Sequence, residues 1–487
     1  MSLDERKAQT IVVAGASGFL GQALPGALNS DHHLVGLTRS STILSAQNSQ
    51  HSTNSDRGYS WRQADLFSRK QTIDGLRGAD LAIYLVHSKR PSAALTQGDV
   101  RDMDLICADN FARAARHHGV DDLILISGIP AGDNQPDSPI SDPLEVEETL
   151  GAYGAQVTTL RTGMVIGAGG DLTEMIFRLV ENLPVMALPR WTQTPIRPIF
   201  YSDLMELIRY IIENPSCRGR SWNVAGADEV NYQILLQMSA DIMGLRRRIY
   251  TLPFTSPALS SRWISMFAGL PRTVIRPMIE MLRRPTPVVD AELQQLAGQT
   301  PTPITAALVE ALEKKDIGGG DELVEAKQST VLSSIKPPNE VRSVQRLPVP
   351  PGRRARWIAT TYARWLPEFM APLMRVEFRE ERYLEFYMRL LPWPLLSLEL
   401  DREVSRPDRQ LYWIRGGLLA ATQKRGRLEF REVLDGQWSL AAVHRFRPRL
   451  PWFIYILTQA RIHLFIMKSF GRYLADERRR CLDHDAP

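Results

Sequence analysis

The sequence predicts an α/β protein: a doubly wound parallel sheet, followed by an α+β part with an antiparallel sheet and a long helix. Three observations carry this. Apolar strand-like runs alternate with helical stretches through the first part of the chain. The first of these runs leads straight into Gly15, Gly18 and Gly21, and a helical pattern follows. Beyond residue 353 the alternation gives way to consecutive strand-like runs closed by one long helical stretch. Strands alternating with helices build a parallel sheet, whereas runs of strands with tight turns build an antiparallel one.

The elements follow in order. The chain reads IVVAGASGFLG at 11–21, an apolar run, then glycines at G-x-x-G-x-x-G spacing. Such a turn brings backbone N–H groups and a helix dipole up to a dinucleotide pyrophosphate. A glycine-rich turn with no ligand is the alternative. The second run, HLVGLT at 33–38, ends in Arg39 and Ser40. A carboxylate there suits the ribose hydroxyls of NAD, and an arginine attracts the 2′-phosphate of NADP. Arg39 and Ser40 therefore favour NADP, with NAD as the other cofactor reading and a solvated loop arginine as the bland one. WRQADL at 61–66 is a short strand ending in an acid. LAIYLVHS at 81–88 is nearly continuous in apolar residues, as a strand buried on both faces is. LILISG at 123–128 and VTTLRTG at 157–163 are two more, and 105–118 is helical in pattern.

These segments resemble a known family. GASGFLG, the ADL segment, YLVHS, LILISG and TLRTGMVIGAGG, in this order, are similar to the atypical short-chain dehydrogenase/reductases, and most of all to their NmrA-like and YbjT-like NAD(P)H-binding group. The resemblance covers residues 8–312, including WNVAG at 222–226 and Tyr232. It implies a Rossmann-type NAD(P)-binding domain with a small substrate-side subdomain. It puts Gly15, Ser17, Gly18, Phe19 and Leu20 at the pyrophosphate, with Gly21 completing the motif. Arg39 and Ser40 would meet the adenosine phosphate, Asp65 and Leu66 the adenine, and Val86 and His87 the nicotinamide ribose.

The chain also departs from the family. Its usual enzymes exchange a proton through a Tyr-x-x-x-Lys pair, in which the lysine lowers the tyrosine pKa. No lysine lies between Lys89 and Lys314, and the helical stretch after Ser127, at 141–150, is acidic. Ser127 stands where the family's active-site serine or glycine falls, and His87 would lie near the nicotinamide. Both are catalytic candidates, against a strand-end serine satisfied by backbone and a histidine that only orients the cofactor. Tyr153 lies too near the next strand for that task. Arg161, inside an apolar strand, needs a partner, for which Glu145 or Glu148 is the candidate.

At 487 residues, two or three domains are expected. Apolar residues at 44% and charged residues at 23% describe a globular protein. The three cysteines, Cys107, Cys217 and Cys481, have no metal or disulfide spacing, so no metal and a reducing cytoplasm are expected. The short polar start leaves no room for a signal peptide, and no spanning helix is expected. The net charge of +5 is uneven: from residue 353 onward, 25 Lys and Arg face 16 Asp and Glu, and six of the ten tryptophans lie there. Residues 313–352, rich in Gly, Ser and Pro, read as a linker.

In 353–487, strands are expected at 383–389, 395–404, 411–420, 427–433 and 438–445, with an Asp435-Gly436 turn between the last two. A helix is expected at 451–478, with proline at its first turn. This layout resembles the START-like helix-grip fold, which implies an apolar ligand between sheet and helix. A small aromatic core is the alternative. Residues 260–276 and the 451–478 helix mix aromatics with cations, as helices at a peripheral membrane contact do; burial of the same faces is the alternative. No nucleic-acid recognition motif is present. The resulting expectation is an NADP(H)-binding reductase of an apolar carbonyl or quinone-like substrate. The competing one is a non-catalytic NADP(H)-binding sensor or assembly protein whose second domain binds a lipid or a partner.

Overall fold

The computed structural model describes residues 8–28, 31–41, 43–44, 58–86, 95–130, 142–252, 291–317, 340–380, 382–421 and 425–484. The chain divides into two compact units, 1–87 with 107–333 and 88–106 with 334–487.

The first unit starts with β1 (Thr10–Ala14), helix Phe19–Leu28, β2 (His33–Thr38), β3 (Ser60–Gln63) and β4 (Leu81–Tyr84). Strand β5 (Leu95–Gln97) belongs to the second unit. The first unit resumes within helix Val100–His118 and continues with β6 (Asp122–Gly128), helix Pro143–Gly151 and β7 (Gln156–Thr162). Short strands β8 (Val165–Ile166), β9 (Val185–Pro189), β10 (Pro195–Ile196) and β11 (Ile199–Phe200) follow, then β12 (Ser221–Val224), β13 (Val230–Asn231) and β14 (Arg248–Leu252).

Seven strands form one sheet in the order β12-β7-β6-β4-β1-β2-β3, with every neighbouring pair parallel. This is the doubly wound Rossmann arrangement, and its order reverses between β1 and β4, where ligands of such sheets bind. The strands form here because their apolar runs are buried on both faces: Ile11, Val12, Val13, Leu81, Ala82 and Ile83 have no exposed surface.

Helix Phe19–Leu28 contains Pro25, which has no N–H for the carbonyl of Gly21. The buried Tyr59 hydroxyl donates to that carbonyl instead, at 2.7 Å. Burial also pushes the Tyr59 phenol upward, so it stays a donor. Beside the sheet, β9 and β14 pair in parallel, and helices Asp171–Asn182, Tyr232–Ile242 and Ile304–Ile317 pack around Phe177, Val180, Met186, Leu235 and Leu308.

The second unit is built on an eight-stranded sheet. Its strands are β5, β15 (Val341–Pro348), β16 (Met374–Arg379), β17 (Tyr383–Met388), β18 (Pro394–Leu400), β19 (Arg409–Gly416), β20 (Arg427–Val433) and β21 (Trp438–Phe446). Their order is β16-β17-β18-β19-β20-β21-β15-β5, antiparallel throughout except for the parallel β15–β5 pair. The turn from β20 to β21 runs through Leu434, Asp435 and Gly436, all at positive φ, at the place the Asp-Gly signal marks. Helices Ala355–Phe369 and Gln459–His484 cover one face.

Several expectations are corrected here. The stretch 313–352 is not linker throughout: helix Ile304–Ile317 runs into it, and 341–348 is a strand with partners on both sides. The chain from 353 does not start with strands, because helix Ala355–Phe369 comes first. The expected helix over 451–478 is two helices, Trp452–Leu457 and Gln459–His484. Thr458 separates them with ψ at −84°, its hydroxyl donating to the Ile454 carbonyl at 2.6 Å. Between sheet and helices, the Tyr362 ring lies 5.1 Å from Phe470, 5.9 Å from Phe430 and 6.5 Å from Phe386. Aromatic rings thus meet in the interior where the helix-grip resemblance expects an apolar ligand. The segment 260–276 lies outside the described residues. Among the described residues, no helix is long and apolar enough to cross a membrane.

Candidate functional site

The glycine turn sits at the end of β1, on the flank where the sheet order reverses. Gly15 has φ at +88°, a conformation that side chains rarely adopt, and a Cβ there would lie 3.0 Å from the Leu85 carbonyl oxygen. The Gly18 amide donates to the Gly15 carbonyl at 2.9 Å, which closes the turn. A Cβ on Gly21 would lie 2.5 Å from Ala16 Cα and from the Gly15 oxygen, so helix and turn pack backbone on backbone. The three glycines therefore do different work: Gly15 sets the turn, Gly21 the helix approach. Among the described residues, a Cβ on Gly18 would meet only the Gly15 oxygen, at 3.1 Å. Of the three, Gly18 is thus the glycine with space beside it among the described residues. Ser17, Phe19 and Leu20 lie on the same turn and first helical residues, where a helix leaves its first N–H groups without intrahelical partners. Gln22 clamps the turn from the helix, its Nε2 donating to the Ser17 carbonyl at 3.1 Å.

The next strand ends carry the other candidates. Arg39 is exposed just past β2, and no ion pair engages it among the described residues. The Ser40 hydroxyl accepts the Ile43 amide at 3.4 Å, and the Ser40 amide donates to Thr38 Oγ1 at 3.1 Å. Asp65 and Leu66 lie in the turn after β3, which ends at Gln63 rather than running on to 66. The Asp65 carboxylate accepts the Phe67 amide at 3.2 Å, and the Leu66 carbonyl accepts from Asn110 Nδ2 at 2.7 Å. Both are therefore held in place. Val86 is half-buried just past β4, and His87 lies outside the described residues. Ser127 is 5% exposed near the end of β6, opposite Arg161 of β7.

Arg161 takes neither expected partner. It donates to Glu147 at 2.9 Å, and the same carboxylate accepts from Ser221 at the start of β12. A Tyr–Lys contact does occur, far from the family's usual spacing. Lys314 Nζ donates to the Tyr201 hydroxyl at 2.7 Å and to Glu310 at 2.6 Å. These two bonds raise the Lys314 pKa, so its charge is secure. The Tyr201 ring lies 6.0 Å from Phe19 of the glycine turn, and Gly167 has no room for a Cβ between them. Nothing local in the sequence signals this pair, whose members are 113 residues apart. Nearby, Asp203 is buried and accepts the Thr302 amide at 2.8 Å and hydroxyl at 2.7 Å. Burial raises its pKa, and the two bonds from Thr302 pull the other way.

Residues 15–164 match the NAD(P)H-binding family. A curated relative, auxiliary protein GraX of Staphylococcus aureus, is 30% identical over 149 residues, which are 31% of this chain and 42% of that protein. The chain thus spans less than half the length of that relative. Among solved structures, a nucleoside-diphosphate-sugar epimerase from Staphylococcus aureus matches at TM-score 0.48 and 18% identity, over 62% of this chain and 100% of that one. An NADPH-dependent quinone oxidoreductase from Escherichia coli matches at TM-score 0.46 and 18% identity, over 62% of this chain and 98% of that one. The glycine turn geometry and the match over 15–164 point the same way: the first unit contains a parallel sheet of Rossmann order in which residues 15–164 are similar to the NAD(P)H-binding family.

Proposed function

We propose that the protein binds NADP(H) at the Gly15–Gly18–Gly21 turn and reduces an apolar carbonyl or quinone-like substrate with it. The observation that carries this is the pairing of an open cradle at Gly18 with an exposed arginine, Arg39, past the neighbouring strand. The cofactor, when bound, supplies the hydride. The chain supplies placement. Amides of the turn and the helix N-terminus hold the pyrophosphate, Arg39 the 2′-phosphate, and Asp65 and Leu66 the adenine. Val86 and His87 line the ribose. Ser127 or His87 delivers the proton at the substrate oxygen. Tyr201, with its oxygen accepting from Lys314 and its own proton free to donate, is a third source.

A second reading is a non-catalytic NADP(H)-binding sensor or assembly protein. It is favoured by one observation: the Tyr-x-x-x-Lys pair is absent from helix Pro143–Gly151, where Glu147 is committed to Arg161 and Ser221.

The test is calorimetric titration of the full chain with NADPH and NADH. The wild type is expected to prefer NADPH by about tenfold to a hundredfold, the range of one or two charge-assisted bonds to a phosphate. Arg39→Asp is expected to reverse the order, since a carboxylate repels the 2′-phosphate. Equal affinities in the wild type would remove Arg39 from the site. Binding of neither nucleotide would end both readings. NADPH oxidation with a quinone panel then separates enzyme from sensor.

A further inference from the structure

We propose that the second unit docks on an anionic lipid bilayer through one apolar, cation-flanked end. The surface is made by the turn at Leu373, the β17–β18 connection and the two C-terminal helices. Its side chains are the reverse of what water selects: Leu390 is 87% exposed, Phe453 67%, Trp393 62% and Phe465 60%, with Leu457 and Ile462 also more than half exposed. Scattered apolar residues need no explanation, but contiguous ones do.

These are joined. The Arg389 amide donates to the Leu373 carbonyl at 2.8 Å, which ties the β17–β18 connection to the turn that leads from helix Ala355–Phe369 into β16. The Phe369 ring of that helix lies 5.9 Å from Phe465. The Leu418 and Leu419 amides donate to the Pro394 and Leu395 carbonyls, each at 3.0 Å, and the Arg449 amide to the Leu419 carbonyl at 3.2 Å. The connection and the start of the C-terminal helices therefore meet the same backbone.

The helices show how the face arises. Tyr455, Ala460, Met467 and Phe470 are buried toward the sheet, while Phe453, Leu457, Ile462 and Phe465 point away from it. Both sides of the helix pair are thus apolar, although one faces solvent.

Charge decides the occupant. From 437 to 475 the chain holds six cations, Arg445, Arg447, Arg449, Arg461, Lys468 and Arg472, and no acid, although Arg447 is paired with Glu340 at 3.1 Å. The β17–β18 connection adds Arg389 and no acid. Arg461, Lys468 and Arg472 are exposed on the same helix as the apolar side chains. Apolar side chains inserted at the headgroup boundary, with cations around them, describe an interfacial contact with anionic lipid. This proposal is independent of the nucleotide site.

The experiment is co-sedimentation of the full chain with vesicles of phosphatidylcholine and phosphatidylserine, and with phosphatidylcholine alone. Binding to the mixed vesicles, weakened by salt, with a blue shift of tryptophan fluorescence is the expected result. Phe453→Ser with Phe465→Ser should lower partitioning about tenfold or more, the effect of losing two buried aromatic contacts. Leu390→Ser with Trp393→Ser, on a separate segment, should do the same. These four positions are exposed, so the melting temperature should hold; Arg461→Glu with Lys468→Glu should abolish the preference for the anionic lipid. Failure to bind mixed vesicles, or unchanged binding by both serine variants, overturns the proposal. So does a dimer in sedimentation velocity that Phe453→Ser with Phe465→Ser dissociates, since a second copy would then cover this face.

Discussion

Gly18→Val should abolish nucleotide binding while the first domain stays folded, and Gly21→Val should unfold it. The difference lies in what each new side chain meets. At Gly18 a Cβ lies 3.1 Å from one carbonyl oxygen and meets nothing else within 4 Å among the described residues. The valine therefore extends into the space the pyrophosphate needs. Losing two bonds to a charged group lowers affinity about a hundredfold or more. At Gly21 a Cβ lies 2.5 Å from both Ala16 Cα and the Gly15 oxygen and 2.7 Å from the Ala16 carbonyl carbon. Backbone cannot move aside as a flexible side chain can, so the loss is at the upper end of overpacking, about 3 kcal/mol or more. Gly15→Val combines both faults, since its φ of +88° disfavours any side chain. Thermal unfolding with and without NADPH separates the cases. Gly18→Val should melt near the wild-type temperature and show no NADPH-dependent rise. A rise of the wild-type size in that variant would place the pyrophosphate elsewhere.

This turn was legible because its chemistry is local. The glycines, the apolar run before them and the helix after them all lie between residues 10 and 28, and each has one physical reason to be there. The parallel sheet was legible for a similar reason, since strands such as 81–84 and 123–128 are apolar on both faces. What escaped was set by partners distant in sequence. Strand β15 reads VRSVQRLP and looks like polar linker, yet Arg342 is buried and Arg346 donates to Asp102 at 2.8 Å. Its other neighbour, β5, is three residues long and carries no periodicity at all. For Arg161, a charge inside an apolar strand, the sequence offers Glu145 or Glu148 as candidate partners. Glu147 takes it because β12 lies beside β7 and brings Ser221 to the same carboxylate. Only the sheet order reveals that, and only the packing of helix Ile304–Ile317 brings Lys314 to Tyr201.

Glu429→Gln should cost the second unit about 3–5 kcal/mol, the usual result of removing one member of a buried ionic group. Arg427, Glu429 and Arg431 alternate along β20, so their side chains share one face, and Arg409 stands opposite Arg431 on β19. Glu429 Oε1 accepts Arg409 Nε at 2.5 Å and Arg431 Nε at 2.7 Å. Burial alone would raise the Glu429 carboxyl, but Arg431, Arg409 and Arg427 outweigh it and hold it well below 4.5. Arg427 is brought down to about 10, by burial first and then by Arg409 and Arg431, against the pull of Glu429. Glutamine keeps the shape and removes the shared charge, so the arginines then repel each other without a carboxylate between them. Acid does the same to the wild type. Because the folded-state pKa lies below 4.5, the contribution is complete above that pH and is lost as pH falls further. Replacing Arg409, Arg427, Glu429 and Arg431 together by leucine should cost far less than Glu429→Gln alone, since it removes the desolvation penalty along with the attraction and leaves none of these arginines without its carboxylate. Urea unfolding of the full chain, followed through its tryptophans, compares the three proteins. A loss below about 1 kcal/mol for Glu429→Gln, the size of an exposed pair, would mean that the charges are solvated and that this face of the sheet is not a buried ionic layer.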